Sequence, residues 1–229
     1  MKQLVLELPQ RTAVGRDDFL VTSSNAAAVA MIDQWPGWPS PAIVLLGPPG
    51  SGKSHLVEVW RQRSGAARIG IAGLREDAVP GLLSSGALAV EDAPGEGLDE
   101  TALFHLLNYA RQQESSLLIT ASQHPGQWRV SLPDLRSRLR ALPVAELGAP
   151  DDSLLRGVLV KLFADRQIAV EESIISYLVV RMPRSLDAAR VVVAEIDRKA
   201  LEDKAEVSRP FVARILADLT APGLFAEDG

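Results

Sequence analysis

With 229 residues, 47% hydrophobic and 23% charged, the chain has room for one or two domains around a sizeable core, and its composition is that of a soluble globular protein. A net charge of -5 argues against nucleic-acid binding over the whole surface, which needs clustered Lys and Arg, and leaves only a local basic patch. The lack of cysteine rules out disulfides and thiolate metal sites and fits a reducing cytoplasm. There is neither a signal-peptide pattern nor an apolar run near the ~18 residues a membrane span needs, so a cytoplasmic location with no membrane partner is expected.

Met1 to Pro9 alternates Leu4, Leu6 and Leu8 and stops at a proline. It reads either as a short edge strand or as an extended peptide that pins into an apolar groove on a partner, and spacing leaves both open. Thr12 to Leu20 is turn-rich, and Ser23-Ser24-Asn25 predicts the cap of a helix over Ala26 to Trp35, broken by Pro36, Pro39 and Pro41. Phe19 and Leu20, just ahead of that helix, are candidates to pack on a nucleotide base or belong to ordinary core.

Ala42-Ile43-Val44-Leu45-Leu46 then runs into Gly47-Pro48-Pro49-Gly50-Ser51-Gly52-Lys53-Ser54, a G-x-x-x-x-G-K-[ST] loop between a strand and a helix. Its glycines let backbone N–H groups turn inward on a polyphosphate, and the dipole of the following helix adds positive potential. Lys53 would reach the terminal phosphates, and the Ser54 hydroxyl would ligate Mg²⁺. His55 adjoins the loop and is counted with the nucleotide-contacting residues. Together with His105 and His124 it is too scattered to form a metal cluster.

Lys53 to Arg63 has helical spacing, Ala67 to Ala72 reads as a strand, and Val79 to Ser84 as a short helix. A second buried strand, Ala87 to Val90, delivers Glu91 and Asp92 at its carboxyl end. That is where an Mg²⁺-holding acid and a water-orienting acid belong downstream of a phosphate loop. Asp is usual in the first place. Having Glu91 there and the shorter Asp92 second tells against efficient hydrolysis, since one methylene of displacement misorients water.

An amphipathic helix is expected over Asp99 to Gln113, followed by a strand over Ser116 to Thr120 ending at Ala121-Ser122. Ser122 could lie between the acids and a γ-phosphate or be a plain turn serine. Leu132 to Arg140 reads as a helix carrying Arg136, Arg138 and Arg140. Residues two apart do not share a face, so at least one guanidinium points away from the others, either to solvent or to a neighbour's nucleotide. After a last strand at Val144 to Leu147 and a hinge at Gly148-Ala149-Pro150, the pattern is purely helical: Asp151 to Arg166, Glu171 to Met182, Ser185 to Lys204 and Arg209 to Leu219. Arg184 could fold from the start of the third of these helices onto the phosphates, or lie exposed.

Strands alternating with helices and then helices alone predict an α/β class with a P-loop parallel sheet flanked by helices, followed by a small all-helical lid. The expected divisions are an N-terminal peptide over 1–9, a nucleotide-binding domain over 10–149 and a lid over 150–229.

The ordered set Gly47 to Ser54, Val90-Glu91-Asp92, Phe104-His105-Leu106-Leu107-Asn108, Leu118-Ile119-Thr120, Leu132-Pro133-Asp134-Leu135-x-Ser137-Arg138-Leu139 and Arg184-Ser185-Leu186 resembles the AAA+ module of the DnaA/Hda family. It is most similar to the Hda branch, DnaA-related proteins of regulatory inactivation of DnaA, whose N-terminal clamp-binding peptide is similar to Gln3-Leu4-Val5-Leu6-Glu7-Leu8. The resemblance covers nearly the whole chain. The phosphate loop marks only the superfamily, whereas the Leu-Pro-Asp-Leu-x-Ser-Arg-Leu run combined with the N-terminal peptide is far more discriminating.

By that resemblance, Lys53 and Ser54 hold phosphates and Mg²⁺, Glu91 and Asp92 are the Walker B acids with Glu91 on the metal, and Ser122 occupies the sensor 1 region, where Asp is usual. Arg138 matches the box VII arginine finger, and Arg184 the sensor 2 arginine. Gln3, Leu4, Leu6 and Leu8 would bind the DNA polymerase III β sliding clamp. The resemblance implies ADP or ATP with Mg²⁺ as cofactors and DnaA as partner, with no direct sequence-specific DNA binding and room for a homodimer. The chain stops near the end of the lid, where DnaA continues into a DNA-reading domain. The short Lys53 to Glu91 interval leaves little room for the initiator-specific helix. The implied function is negative regulation of replication initiation, with the chain promoting hydrolysis of DnaA-bound ATP from the DNA-loaded clamp and having little ATPase of its own. The alternatives are a stand-alone ATPase that loads replication proteins, and a clamp-bound adaptor in which nucleotide only stabilises the fold.

Overall fold

The computed structural model describes residues 19–220. Gln3, Leu4, Leu6 and Leu8 lie outside the described residues. Five short strands, β1 (Ala42–Leu46), β2 (Ala67–Gly70), β3 (Ala87–Ala93), β4 (Ser116–Ala121) and β5 (Val144–Glu146), form one parallel sheet among the described residues in the order β2-β3-β4-β1-β5. The near-continuous hydrophobicity of β1, β3 and β4 follows from being covered on both faces. Alternation along each strand divides the side chains between two layers. Val44, Leu88, Val90, Leu117 and Ile119 pack under α3 (Val79–Leu82), α4 (Glu100–Gln112) and α5 (Pro133–Ala141). Ile43, Leu45, Ala87, Ala89 and Leu118 pack under α1 (Ala26–Asp33) and α2 (Lys53–Ser64). Four more helices, α6 (Asp152–Asp165), α7 (Glu172–Arg181), α8 (Leu186–Asp203) and α9 (Arg209–Thr220), bury a separate core of Leu155, Leu159, Leu178, Val192, Val193 and Val212.

Local chemistry moves several boundaries from those the sequence predicts. The strand expected to reach Ala72 stops at Gly70, where the chain tightens into a 3-10 turn at Ile71–Gly73 and the Leu74 N–H bonds to the Ile71 carbonyl at 3.1 Å. The strand expected to stop at Val90 continues through both acids to Ala93. Asp99 and Ser185 each fall one residue outside their helices, acting as caps that accept from Ala102 N–H at 2.9 Å and Ala188 N–H at 3.3 Å. Asn25 is the boundary residue of α1, but its side chain looks backward, accepting from Thr22 N–H at 2.9 Å and donating to the Leu20 carbonyl at 2.9 Å. It holds the Phe19–Leu20 segment where a cap would have held the helix.

Two junctions tie the helical region to the sheet. At the first, Asp151 caps α6 through Leu154 N–H at 2.7 Å and also accepts from Ser23 Oγ at 3.1 Å and Ser24 N–H at 3.3 Å. At the second, the Leu186 N–H donates to the Gly50 carbonyl at 2.8 Å, so α8 begins on the phosphate loop. Gly50 has φ +68°, and a Cβ there would lie 1.9 Å from Ser185 Oγ, so only glycine permits the approach.

Both junctions can be tested. Asp151→Ala should cost about 1–2 kcal/mol in urea denaturation, the usual value of a cap. Burial works against the Asp151 carboxylate, but the Leu154, Thr22, Ser23 and Ser24 bonds outweigh it and hold its pKa below the usual range. A depressed folded pKa adds stability above the ordinary carboxylate pKa that is lost as pH falls through the folded value. Asp151→Asn should therefore flatten that acid limb of the stability profile, and an unchanged limb would contradict the junction. Gly50→Ala should destabilise by more than about 1 kcal/mol and speed amide exchange at the start of α8; unaltered exchange there would show that the contact does not hold the lid.

Candidate functional site

The phosphate loop leaves the carboxyl end of β1 and closes into the N-terminus of α2, where Gly52 has φ +98°. Lys53 folds back over the loop, donating from Nζ to the Gly47 carbonyl at 2.8 Å and the Pro48 carbonyl at 3.0 Å. Burial lowers its pKa, and the nearby Asp92, Asp187 and Glu91 carboxylates oppose that shift. Among the described residues this half-buried ammonium is held by neutral carbonyls, which it can exchange for an anion without breaking an ion pair. Around it lies a cavity of about 280 Å³ lined by Pro49, Gly50, Gly52, Lys53, Ser54 and His55 of the loop, Asp92 of β3, Ser122 beyond β4, and Asp187 and Arg190 of α8.

The two acids of β3 have different surroundings. Val90 pairs with Ile119 but Ala93 with Ala121, so β3 carries one more residue than β4 across this interval, a bulge. Asp92 occupies it at φ +63°, a left-handed conformation that Asp tolerates better than most residues, and its N–H donates to buried Thr120 Oγ1 at 3.0 Å. The bulge exposes Asp92 and aims it into the loop cavity. Glu91 is buried at 4% exposure, its Oε2 ion-paired with Arg68 Nε from β2. Arg68 sits opposite Ala89 and Gly70 opposite Glu91, making Arg68 and Glu91 diagonal neighbours on one face of the sheet. Glu91 Oε1 is buried without a hydrogen-bond partner among the described residues. An uncompensated carboxylate oxygen beside a phosphate loop suits a divalent cation or its bound water. No cluster of three or more His, Cys, Asp or Glu able to hold a metal exists among the described residues.

Phe19, Leu20 and His55 come together. They line a small, mostly apolar cavity of about 50 Å³ with Leu154, Val158 and Leu162 of α6 and with Leu186 and Arg190 of α8. The Phe19 and His55 rings meet edge to face with centroids 5.1 Å apart. Gly157, in the interior of α6, gives up helix propensity to make room: a Cβ there would meet Leu20 Cδ1 at 2.8 Å. Arg190 borders both this cavity and the phosphate-loop cavity.

Three placements could not be read from the sequence. Arg184 donates to the Pro150 carbonyl at 3.0 Å and pairs with Asp152 at 2.7 Å, securing the hinge rather than lining either cavity. The lid cation that lines them is Arg190, paired with Asp187 at 2.7 Å. The sequence signal for it is that Arg190 stands one turn beyond both Leu186 (i+4) and Asp187 (i+3) on a helix capped by Ser185. Arg138 lines neither cavity; its guanidinium lies 5.2 Å from the Phe104 ring centroid, half-buried, while Arg136 and Arg140 are exposed.

No helix among the described residues is long and apolar enough to cross a membrane. No family model matches the chain. An uncharacterised protein of Haemophilus influenzae is 28% identical over 118 residues, 51% of each chain, so the chain spans about half the length of the curated relative it matches. Among solved structures, domain III of the Thermotoga maritima replication initiation protein DnaA superposes with a TM-score of 0.77 at 19% identity, covering 94% of this chain and 100% of that one. AMPPCP-bound DnaA from Aquifex aeolicus superposes with a TM-score of 0.65 at 17% identity, covering 88% of this chain and 69% of that one. At these identities the shared property is the fold: a parallel five-stranded sheet flanked by helices with a helical C-terminal region, the AAA+ fold of DnaA domain III.

Proposed function

We propose that the chain is an Hda-like regulator that binds an adenine nucleotide between loop and lid, docks on the sliding clamp through its N-terminal peptide, and promotes hydrolysis of ATP held by DnaA. The observation that carries the reading is the separation of the two arginines. Arg190 faces the chain's own phosphate loop, whereas Arg138 lies outside both cavities on a different helix. A guanidinium held away from its own nucleotide site is suited to a neighbour's. The coextensive fold of DnaA domain III supports a partner built on the same plan.

Within the chain, the loop amides and Lys53 would take the phosphates, Arg190 would bind them from the lid, and Phe19, Leu20 and His55 would flank the base. Ser54 with Asp92 or Glu91 would hold Mg²⁺, which neutralises phosphate charge when bound. In DnaA, water attacks the γ-phosphorus, the bond to the β-phosphate bridging oxygen breaks, and ADP and phosphate leave. Arg138 would stabilise charge on the transferring group across the interface. Such contacts contribute roughly 10³- to 10⁵-fold in rate.

A second reading, a stand-alone ATPase that loads replication proteins, is favoured by one feature: Asp92 shares the loop cavity with Lys53 and Ser122. Steady ATP turnover by the purified chain without DnaA would select it.

The lifetime of DnaA-bound ATP, measured with this protein on clamp-loaded DNA, should shorten. Arg138→Ala should lose at least 10³-fold of that stimulation while clamp pull-down persists, and full stimulation would return Arg138 to a surface role. Gln3→Ala with Leu4→Ala should abolish clamp capture and leave nucleotide binding intact; retained capture would remove the docking role. In fluorescent-ADP titrations, Arg190→Ala should weaken binding about tenfold or more, the worth of a charge-assisted contact, and more than Arg184→Ala does. The opposite ranking would return the phosphate-binding role to Arg184.

A further inference from the structure

The helix that carries Arg138 has no side-chain cap of its own: Leu132 stands at the boundary of α5 and supplies none. Glu100, the first residue of α4, instead grips the turn just ahead of the helix. Its Oε1 accepts from Ser131 N–H at 2.8 Å, and its Oε2 accepts from Ser131 N–H at 2.9 Å, Leu132 N–H at 2.9 Å and Ser131 Oγ at 2.8 Å. The Ser131 amide foremost, with help from Leu132, the Ser131 hydroxyl and the Arg136 charge, holds the Glu100 carboxyl below the ordinary range against partial desolvation, so it is ionised at neutral pH. One turn along the same stripe of α4, the Phe104 ring faces the Arg138 guanidinium. Arg136 adds a bond from Nη2 to the Val130 carbonyl, closing the turn that leads into α5.

We propose that Glu100 is a positioning residue for Arg138. By gripping the two amides at the start of α5 it fixes the rotation of that helix, and hence the direction in which the guanidinium is presented over Phe104. Leu135 and Leu139 seat α5 in the sheet core, and the two contacts one helical turn apart on α4 add a fixed rotation on the exposed side that carries Arg138. The consequence for catalysis rests on the across-interface reading of Arg138; the positional claim stands without it.

The test uses the full chain with an assigned Arg138 Nε–H resonance, together with hydrolysis of DnaA-bound ATP on clamp-loaded DNA. In the wild type the resonance should be shifted by the Phe104 ring. Glu100→Ala should move it to the position of a solvent-exposed arginine and lower the maximal stimulated rate about tenfold, with the half-saturating concentration unchanged. Glu100→Gln, which keeps an oxygen for the two amides, should restore the resonance and most of the rate. If Glu100→Ala does not fold, Glu100→Asp replaces it: it keeps the charge but shortens the reach, and should displace the resonance likewise. An Arg138 resonance unmoved in either shortened variant, or one that Glu100→Gln fails to restore, would overturn the proposal. A wild type that leaves DnaA-bound ATP untouched would sink the regulatory reading instead, while the resonance still decides the role of Glu100.

Discussion

The close approach of the start of α8 to the phosphate loop is the constraint the rest of the structure depends on. The Leu186 N–H reaches the Gly50 carbonyl, and Ser185 fills the space where any other residue at position 50 would place a Cβ. This brings the N-termini of α2 and α8 to one cavity and sets Asp187 and Arg190 opposite Lys53 and Asp92. Two helix N-termini and two cationic side chains facing one concavity favour a polyanion, and the interspersed carboxylates favour one that carries a cation with it. The backbone contact couples the loop to the start of α8, so the position of one constrains the other.

The sheet makes a second division of labour possible. One extra residue in β3 turns Asp92 toward the loop while Glu91 stays beneath the surface with Arg68, so neighbouring carboxylates serve different surroundings. Arginines are divided in the same way: Arg184 secures the hinge through Asp152, Arg190 faces the loop cavity, and Arg138 stands apart over Phe104. Each has a nearby partner that fixes its direction. Such placement matters more for phosphoryl chemistry than the number of positive charges.

Much of this was legible in the sequence where a local rule forces the answer. A buried apolar run ending in Gly47 to Ser54 reads as a strand, a glycine-rich turn and a helix, which is the local structure found, and the 3.6-residue periodicity beyond Asp151 predicts the four C-terminal helices within a residue or two. What was not legible depends on partners distant in the chain. Nothing near Asp92 announces a bulge, because the bulge is measured against β4, some 28 residues on. Arg184 looks like a phosphate contact until Asp152 is seen beside it. Arg190 looks like an ordinary i, i+3 ion pair until α8 is placed on the loop. Glu100 reads as a helix-start acid, and its bonds to Ser131 and Leu132 appear only once α4 and α5 are packed.

The central claim is that the chain's own nucleotide engages the loop and Arg190 while Arg138 is kept for a partner. A ¹⁵N-resolved titration of the isolated protein with Mg-ADP tests it most directly. The account predicts saturable shifts at Gly50, Gly52, Lys53 and the Arg190 side chain, with the Arg138 Nε–H unmoved. Shifts at Arg138 comparable with those at Lys53, or a silent loop at saturating nucleotide, would contradict it.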